Sequence, residues 1–457
     1  MLQIYNSLTK QKEDFKPVLP GKVTLYVCGV TTYDFCHMGN ARTLIAFDMV
    51  VRYLRYAGFD VKYVRNITDV DDKIIKRVNE NSEEYYAFVQ RYIDIMHEDL
   101  KLLGAIVPDE EPRATQFIPQ IIQLIGRLFD NGCAYVGGNG DVFYDVRRFK
   151  NYGKLSCCDL DKMRSGARVE ISENKKDPLD FVLWKLAKPN EPSWDSPWGK
   201  GRPGWHIECS AMSTDTLGET IDIHGGGADL LFPHHENEIA QSESASGKPF
   251  VRTWMHAGYL QTNKTKMSKS LDNFFTIRDV LSHFSGEVAR YFLLSGHYRS
   301  PLNYSEDALR QAHQSLESLY IALRDITPTL VPSNTAFEKS FIEAMNDDFN
   351  TPKAFSVLFD IAHEMNRLRD VDIKTAQAYA ALLKQLGGVL GFLQQKPSAF
   401  LQKTDGISAD EIETLIQERN QARAQKDWVT ADKMRDQLSA QGIVLEDKDG
   451  RTVWRKK

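Results

Sequence analysis

The chain has 457 residues, too many for a single hydrophobic core, so we expect two to four domains. Hydrophobic residues make up 42% and charged residues 26%, as in ordinary soluble proteins, and no apolar stretch is long enough to predict a membrane span. The formal net charge of −5 excludes a uniformly basic polyelectrolyte-binding protein, so any nucleic acid would be held by local basic patches.

The six cysteines are sparse, and they form neither a CxxC pair nor a compact disulfide framework. This distribution is typical of a reducing compartment. The first ten residues have no apolar segment of the kind that a secretion signal requires. We therefore expect a cytoplasmic protein that does not bind a membrane.

The first part of the chain predicts a βαβ unit. Lys22–Cys28 is rich in β-forming residues and predicts a strand, and Phe59–Asn66 predicts a second one. Between them, apolar residues recur at helical spacing over Ala41–Tyr56, and Gly58 ends the run. Such a unit indicates the α/β class, with a doubly wound, Rossmann-like parallel sheet.

The middle of the chain predicts an insertion in this sheet. Tyr85–Phe129 looks helical, but residues 133–169 change to strand-like pieces and turns, and residues 177–203 are dense in proline and tryptophan. Thr220–Ile223 then predicts a strand and Pro233–Ser246 a helix, so the nucleotide-binding domain resumes there.

Helical periodicity dominates from Ser305 to about Phe400, and Lys396–Gly406 predicts a linker before a last small unit. We expect that unit to contain two helices and a short β-like end. The predicted domain boundaries are 1–114 for the first half of the catalytic domain, 115–200 for the insertion, 201–304 for the second half, 305–400 for an α-helical bundle, and 407–457 for a small C-terminal domain.

The tetrapeptide His37-Met38-Gly39-Asn40 lies between the first predicted strand and its helix. A helix N-terminus binds phosphate because its free N–H groups and its dipole favour anions. Gly39 allows close backbone approach to a ligand, and His37 and Asn40 can donate hydrogen bonds to phosphate oxygens. A capped structural turn is the alternative interpretation.

The pentapeptide Lys266-Met267-Ser268-Lys269-Ser270 lies in a polar stretch. Two lysines on a mobile loop can neutralise a triphosphate and stabilise the charge on a leaving pyrophosphate. A solvated lysine loop is the alternative. The two motifs, in this order and about 230 residues apart, resemble the HIGH and KMSKS signatures of class I aminoacyl-tRNA synthetases, which favours the functional interpretation.

Four residues are candidate zinc ligands. His234 and Glu238 are four apart on a predicted helix and share one face. Cys28 ends the first strand, and ligands gather at the carboxyl ends of strands in a doubly wound sheet, where Cys209 could join it. Two cysteines, a histidine and a glutamate suit zinc. The alternatives are two buried apolar cysteines and a polar pair at a helix N-terminus.

Other residues are candidates for substrate contacts. Trp205 is a candidate wall of a thiol pocket, although a buried core aromatic is the more common role. Thr68 and Asp229 are candidates for binding a substrate ammonium group, and Asp229 alternatively for a ribose hydroxyl. Gly226, within Gly225–Gly227, would let the backbone approach an adenylate closely.

Several segments together resemble cysteinyl-tRNA synthetases, and the resemblance extends from the N-terminus to the final Gly442–Trp454 segment. The segments that carry it are Asp177–Lys185, Pro192–Trp198, Gly204–Ser210, His224–Asp229, Phe232–Glu238 and Asp347–Pro352.

Membership of that family implies one zinc ion per chain, held by Cys28, Cys209, His234 and Glu238. It implies Mg²⁺ bound with ATP and catalysis by residues of the two signatures, namely His37, Asn40, Lys266 and Lys269. It implies ATP contacts by His37, Gly39, Asn40, Gly226 and Lys269. It also implies cysteine, ATP and cysteine tRNA as substrates, with the helical bundle and the C-terminal unit binding the tRNA.

Two points depart from the simplest pattern. Asn40 replaces the final histidine of the HIGH signature and cannot carry a charge, so its share in catalysis is less certain than that of His37. His235 is also close enough in sequence to pair with Glu238, although the family pattern favours His234.

We expect a monomer.

Two other functions are open to a chain with these motifs. One is a cysteine ligase that acts on an amino sugar, which should lack a tRNA-binding tail such as the segment Ser305–Lys457. The other is a non-catalytic regulator descended from a synthetase, which should have lost His37, Lys266 or Lys269.

Overall fold

A computed structural model describes residues 1–157, 174–262, 265–267, 274–402, 408–448 and 451–456. The chain forms two compact units. The first comprises Met1–Ala312, Lys339–Ser356 and Val389–Gly391, and the second comprises His313–Glu338, Val357–Gly388 and Phe392–Lys457. Among the described residues, no helix is both long and apolar enough to cross a membrane.

A four-stranded sheet lies at the centre of the first unit. Every neighbouring pair of its strands is parallel, and the strands lie in the spatial order Val251–Ala257, Ile221–Gly227, Lys22–Val27, Asp60–Arg65. The strands are buried on both faces, as expected for a parallel sheet covered by helices. The prediction of an α/β fold with a parallel sheet is confirmed.

The helices of this unit pack on the sheet or lie next to the insertion. Their bounds are Met38–Tyr56, Asp72–Asn81, Tyr85–Leu102, Ile118–Asp130, Trp205–Leu217, Glu236–Ser246, Ile277–Leu281 and Gly286–Leu294. The first helix packs so closely that a Cβ on Gly225 would stand 2.1 Å from the ring of Phe47. Glycine at that strand position therefore sets the distance between helix and sheet.

The insertion lies in the chain between the strands Asp60–Arg65 and Ile221–Gly227, and it forms a separate antiparallel sheet. Its strands, in sequential order, are Ala134–Val136, Val142–Tyr144, Phe181–Leu186 and Gly201–Pro203. Trp184 and Tyr144 are fully buried and pack with the apolar face of the helix Ile118–Asp130. Each smaller sheet elsewhere has two or three short strands: Gln3–Asn6 with Gln11–Asp14, and Leu260–Thr262 with Thr265–Lys266 and Leu302–Asn303.

From residue 306 onward the described chain is mostly helical. The helices are Glu306–Leu323, Ala336–Asn346, Thr351–Leu368, Ile373–Leu390, Pro397–Leu401, Ala409–Ala424 and Trp428–Ala440. An antiparallel hairpin, Ile443–Lys448 with Arg451–Lys456, closes the chain. Trp454 of this hairpin is buried against Ile412 and Leu438 of the last two helices.

Three sequence-based boundaries were wrong. The helical stretch predicted over Tyr85–Phe129 is two helices, because the segment between them contains Pro108 and Pro112, which cannot continue a helix. The helix predicted from Pro233 begins at Glu236, after a π-helical turn over Leu231–His235. The predicted linker contains the short helix Pro397–Leu401, while residues 403–407 lie outside the described part.

A buried ion pair joins four segments of the first unit. The guanidinium of Arg290 contacts the Asp48 carboxylate, and both side chains are buried. Arg290 Nε also donates to the Leu390 carbonyl at 2.7 Å, and Asp48 accepts from the Ile106 amide at 2.6 Å. Burial alone would raise the pKa of Asp48, but Arg290 and Arg52 lower it below its usual value.

Replacing Arg290→Met should lower the free energy of unfolding by about 3–5 kcal/mol, because it leaves the Asp48 charge buried and uncompensated. The matched control is Arg310→Met, which removes an exposed partner of Glu306 and should change stability little. Urea denaturation followed by circular dichroism measures both variants. Equal midpoints for the two variants would contradict this account of the buried pair.

Candidate active site and metal centre

Four buried side chains bring potential metal ligands together at the carboxyl end of the central strands. They are Cys28, Cys209, His234 and Glu238, and one ligand atom of each lies within 4.8 Å of the others. Cys28 follows the strand Lys22–Val27 directly, and its amide donates to the carbonyl of Gly225 on the neighbouring strand at 3.0 Å. The topology of the sheet therefore places residues from distant parts of the chain at one point.

The remaining ligands come from two elements above the sheet edge. Cys209 lies in the second turn of the helix Trp205–Leu217. His234 lies on the π-helical turn, and Glu238 lies in the first turn of the helix that follows. His234 Nε2 and Glu238 Oε1 are 3.1 Å apart, so the i,i+4 relation brings the two side chains together as the sequence predicts.

The separations between these atoms fit a tetrahedral zinc ion. Bond lengths of about 2.3 Å to sulfur and about 2.0–2.1 Å to nitrogen or oxygen require about 3.8 Å between two sulfurs and about 3.5 Å between sulfur and oxygen. Cys28 Sγ is 3.8 Å from Cys209 Sγ and 3.5 Å from Glu238 Oε1. The four residues thus have both the chemistry and the spacing of a zinc site.

The electrostatics of the cluster favour a cation. Burial raises the pKa of Cys28, whereas the hydrogen bond from Cys28 lowers that of Cys209 to about 6. Burial lowers the pKa of His234, but the neighbouring Glu238 raises it, and the resulting pKa is about 10. Burial opposes ionisation of Glu238, but His224 and His234 hold its pKa well below its usual value. A divalent cation would replace the protons on His234 and Cys28.

A second group of potential ligands shares two of these residues. Cys28 and Glu238 also lie within 4.8 Å of His224 and His235. The ring of His224 approaches Cys28 Sγ at 3.4 Å, and His235 Nδ1 is 2.8 Å from His256 Nε2. His224 was not predicted from the sequence, although it opens the His224–Asp229 segment, because the spacing of residues does not show that the strand Ile221–Gly227 runs next to the cluster.

A cleft of 280 Å³ lies beside the cluster of potential metal ligands. Cys28, Cys209 and His234 lie in its wall, and Glu238 lies behind them. Ten of the residues proposed from the sequence line the cleft: Cys28, His37, Gly39, Asn40, Thr68, Trp205, Cys209, Asp229, His234 and Lys266. The first signature, the described residues Lys266 and Met267 of the second, and three of the four proposed metal ligands therefore lie at one cavity.

His37 and Asn40 cap the helix Met38–Tyr56 reciprocally. His37 Nδ1 accepts from the Asn40 amide at 3.1 Å, and Asn40 Oδ1 accepts from the His37 amide at 3.1 Å. Since Nδ1 accepts, the neutral ring carries its proton on Nε2. A Cβ on Gly39 would lie 2.9 Å from the His37 ring, so glycine makes room for the ring as well as for a ligand.

Lys266 also lines the cleft and lies in the short strand Thr265–Lys266. Its Nζ is 3.3 Å from Asp229 Oδ2 and lies 4.5 Å above the centre of the Tyr259 ring. This ion pair places a lysine of the second signature beside a proposed substrate residue. Lys269 lies outside the described residues.

The other proposed residues occupy different positions. Trp205 stacks on the ring of His234, with ring centres 4.4 Å apart, and remains 41% exposed towards the cleft. Thr68 is buried, and its hydroxyl accepts from Asn66 at 3.3 Å. Gly226 does not line the cleft. Its missing Cβ would face His235 and Leu230, and the adjacent Gly227 lines the cavity instead.

Several lining residues were not found from the sequence. They include Tyr33, Asp34, Asn66, Lys73 and Tyr259. Asn66 accepts from the Gly29 amide at 2.9 Å and so fixes the backbone next to Cys28. A polar residue at the end of the second predicted strand was the available signal for Asn66, since strand ends meet at the same edge of a parallel sheet.

The chain matches three families in sequence. Residues 14–314 match the class I (C) tRNA synthetase catalytic domain, residues 340–394 match the DALR domain, and residues 406–455 match the cysteinyl-tRNA ligase anticodon binding domain. Solved structures with similar folds include methionyl-tRNA synthetase of Mycobacterium tuberculosis bound to methionyl-adenylate. That structure has 15% identity, a TM-score of 0.58, and coverage of 82% of this chain and 90% of its own.

Relatives of high identity align over essentially the whole chain. The cysteine–tRNA ligase of Coxiella burnetii is 58% identical over 456 residues, which cover 99% of this chain and 100% of the relative. That of Escherichia coli is 57% identical over 461 aligned positions, with complete coverage of both chains. The protein described here, with its parallel sheet and its buried cluster of sulfur, imidazole and carboxylate ligands, therefore belongs to the cysteine–tRNA ligase family of class I synthetases.

Proposed function

We propose that the chain activates cysteine with ATP and transfers the cysteinyl group to the 3′ end of cysteine tRNA, with a zinc ion selecting the substrate thiol. The observation that carries the proposal is the buried cluster of Cys28, Cys209, His234 and Glu238, three of which line the same cleft as residues of both signature motifs. Family membership supports the same reaction.

Two displacements account for the chemistry. A carboxylate oxygen of cysteine attacks the α-phosphorus of Mg²⁺-bound ATP, the bond from that phosphorus to the bridging oxygen breaks, and pyrophosphate leaves. The terminal ribose hydroxyl of the tRNA then attacks the carbonyl carbon of the adenylate, AMP leaves, and the hydroxyl proton is released. The protein needs no covalent nucleophile, because positioning and charge stabilisation supply the catalysis.

Residues of the two signatures act on the phosphates. His37 sits at the N-cap of the helix Met38–Tyr56, where the helix dipole favours a phosphate, and its Nε2–H donates towards it. The side-chain oxygen of Asn40 accepts a hydrogen bond in the helix cap, while its side-chain NH2 group can donate to a phosphate. Lys266 lines the same cleft as His37, and Lys269 completes the pair of charges that stabilises the leaving pyrophosphate.

Zinc bound to the four ligands would take the thiolate of cysteine as a further ligand and so reject serine, whose hydroxyl stays protonated. Trp205 stacks on His234 and would therefore lie beside the bound thiolate. Glu238 is the ligand best able to move away, because a carboxylate competes less well for zinc than two thiolates and an imidazole. Shape alone would discriminate poorly between cysteine and serine.

The C-terminal part of the chain serves the tRNA in this proposal. The bundle is assigned to residues 305–400 and the anticodon-binding domain to 407–457, and the family match over 406–455 supports the second assignment. A tail of this length disfavours the amino-sugar ligase, and retention of His37 and both loop lysines disfavours a non-catalytic regulator. The monomeric state and the cytoplasmic location stay predictions.

Replacing Cys209→Ser should remove zinc and cysteine activation together, because a serine hydroxyl is a poor zinc ligand. Metal analysis and cysteine-dependent ATP–pyrophosphate exchange measure the two losses. The matched control is Cys133→Ser, a buried cysteine of the insertion that should keep about one zinc per chain.

Cobalt substitution tests the selection itself. The visible spectrum of the cobalt protein should change on adding cysteine but not serine. A cobalt spectrum indifferent to cysteine, or a metal-free protein that activates cysteine normally, would refute selection by the metal.

Replacing Lys269→Ala should slow adenylate formation by about 10²–10³-fold while changing cysteine affinity little, because the lysine acts on charge that develops in the transition state. The control is Lys248→Ala, an exposed lysine paired with Glu219. Pyrophosphate exchange at varied cysteine concentration separates the two parameters. An exchange rate within about twofold of wild type would end this assignment of Lys269.

A chain that stops after Thr404 should still activate cysteine but charge tRNA poorly. The reason is that the small C-terminal unit follows, in the sequence, all the residues that line the cleft. In the intact chain this unit contacts the helix Glu306–Leu323 through Arg455 and Glu317, 2.7 Å apart. The variant Arg455→Ala therefore controls for loss of that contact alone. Pyrophosphate exchange and tRNA charging are compared, and full charging by the truncated chain would assign the unit another purpose.

A further inference from the structure

His206 contacts the proposed zinc ligand His234 on the side away from the metal position. His206 Nδ1 and His234 Nδ1 are 2.9 Å apart, a distance at which one nitrogen must donate a hydrogen to the other. His234 Nε2, on the other side of the same ring, lies 3.1 Å from Glu238 Oε1 and faces the cluster. The two ring nitrogens of His234 therefore have separate partners.

The hydrogen between the two rings determines which nitrogen of His234 can bind a metal. A neutral imidazole has one N–H and one lone pair, and only the lone pair binds a metal. If Nε2 binds zinc, the hydrogen of His234 must be on Nδ1, and it is donated to His206 Nδ1. His206 then carries its own hydrogen on Nε2. The contact thus selects the metal-binding tautomer of His234.

Two aromatic contacts fix the orientation of the rings. Trp205 stacks on His234 at an interplanar angle of 25°, with ring centres 4.4 Å apart. Phe181 meets His206 edge-on, with centres 5.5 Å apart. Trp205 and His206 open the helix that also carries Cys209, so the same helix supplies one zinc ligand and orients another.

We propose that His206 is a positioning residue of the metal centre, which accepts the Nδ1 hydrogen of His234 and thereby presents the Nε2 lone pair to zinc. The inference rests on the proposed function, because it requires a metal at the four ligands. Hydrogen-bond partners behind a zinc-bound histidine commonly change metal affinity by about 10–100-fold.

Two variants separate the hydrogen bond from packing. His206→Asn retains an acceptor, since its side-chain oxygen can take the place of Nδ1, but it loses the ring. His206→Phe retains a ring against Phe181 and Trp205 but has no acceptor. His206→Leu is a second variant without an acceptor in case the phenylalanine protein folds poorly, and thermal melting checks folding of all three.

The measurement is zinc affinity of the full-length protein by competition with a colorimetric chelator, with no substrate present. We expect His206→Phe and His206→Leu to bind zinc about 10–100-fold more weakly than wild type and His206→Asn to stay within about threefold. Excess zinc should restore cysteine activation to His206→Phe, because all four ligands remain. The absorption spectrum of the cobalt forms gives an independent readout of the site.

The outcomes are distinct. Wild-type zinc affinity in all folded variants would overturn the role of His206, and so would equal weakening in His206→Asn and His206→Phe, which would indicate packing. In both cases, the finding that the wild-type protein binds zinc would leave the proposed function intact. A wild-type protein that binds no zinc would instead overturn the metal part of the proposed function, and this inference with it.

Discussion

The active site depends on the burial of ionisable ligands beside one another. Glu238 and His234 are almost fully buried, and both sulfurs lie within the same 4.8 Å group. Burying a charged group costs several kcal/mol unless an opposite charge or a metal compensates it. Such a cluster is stable only when its members are held at fixed separations, so the backbone around it has to be rigid.

The parallel sheet supplies that rigidity. Cys28 is tied by its amide to the neighbouring strand, and the next residue, Gly29, is tied to Asn66 at the end of another strand. The helix carrying Cys209 and the turn carrying His234 then need only place one side chain each. The cleft forms above this edge because the strands end there and the connections diverge, which is where α/β sheets generally bind ligands.

Much of this arrangement was accessible from the sequence. The βαβ pattern predicted the sheet, and the signature motifs with the family resemblance predicted which residues share the cleft. The π-helical turn before Glu236 was not predictable, because Pro233 is equally suited to open an ordinary helix. His224 and Asn66 were missed for a different reason: their contacts are set by strand order, which local periodicity does not encode.

The helix cap shows why one residue can serve two roles that are hard to tell apart. Nδ1 of His37 holds the helix N-terminus, and in the proposed function Nε2 of the same ring donates to phosphate. A substitution that removes the ring therefore loosens the helix and removes the donor at once. Serine at this position would keep a helix cap without the imidazole ring, which helps to separate the two effects.

The metal ligands are far apart in the chain, and this spacing has a consequence for biosynthesis. Cys28 precedes Cys209 by 181 residues and Glu238 by 210 residues, with the whole insertion between them. In small zinc modules the ligands are neighbours in sequence, and the metal can organise the chain around itself. Here the fourth ligand leaves the ribosome only after the insertion and most of the sheet have been made. In the proposed function, zinc binding is therefore a late event, which follows synthesis of the insertion and of three of the four strands of the parallel sheet.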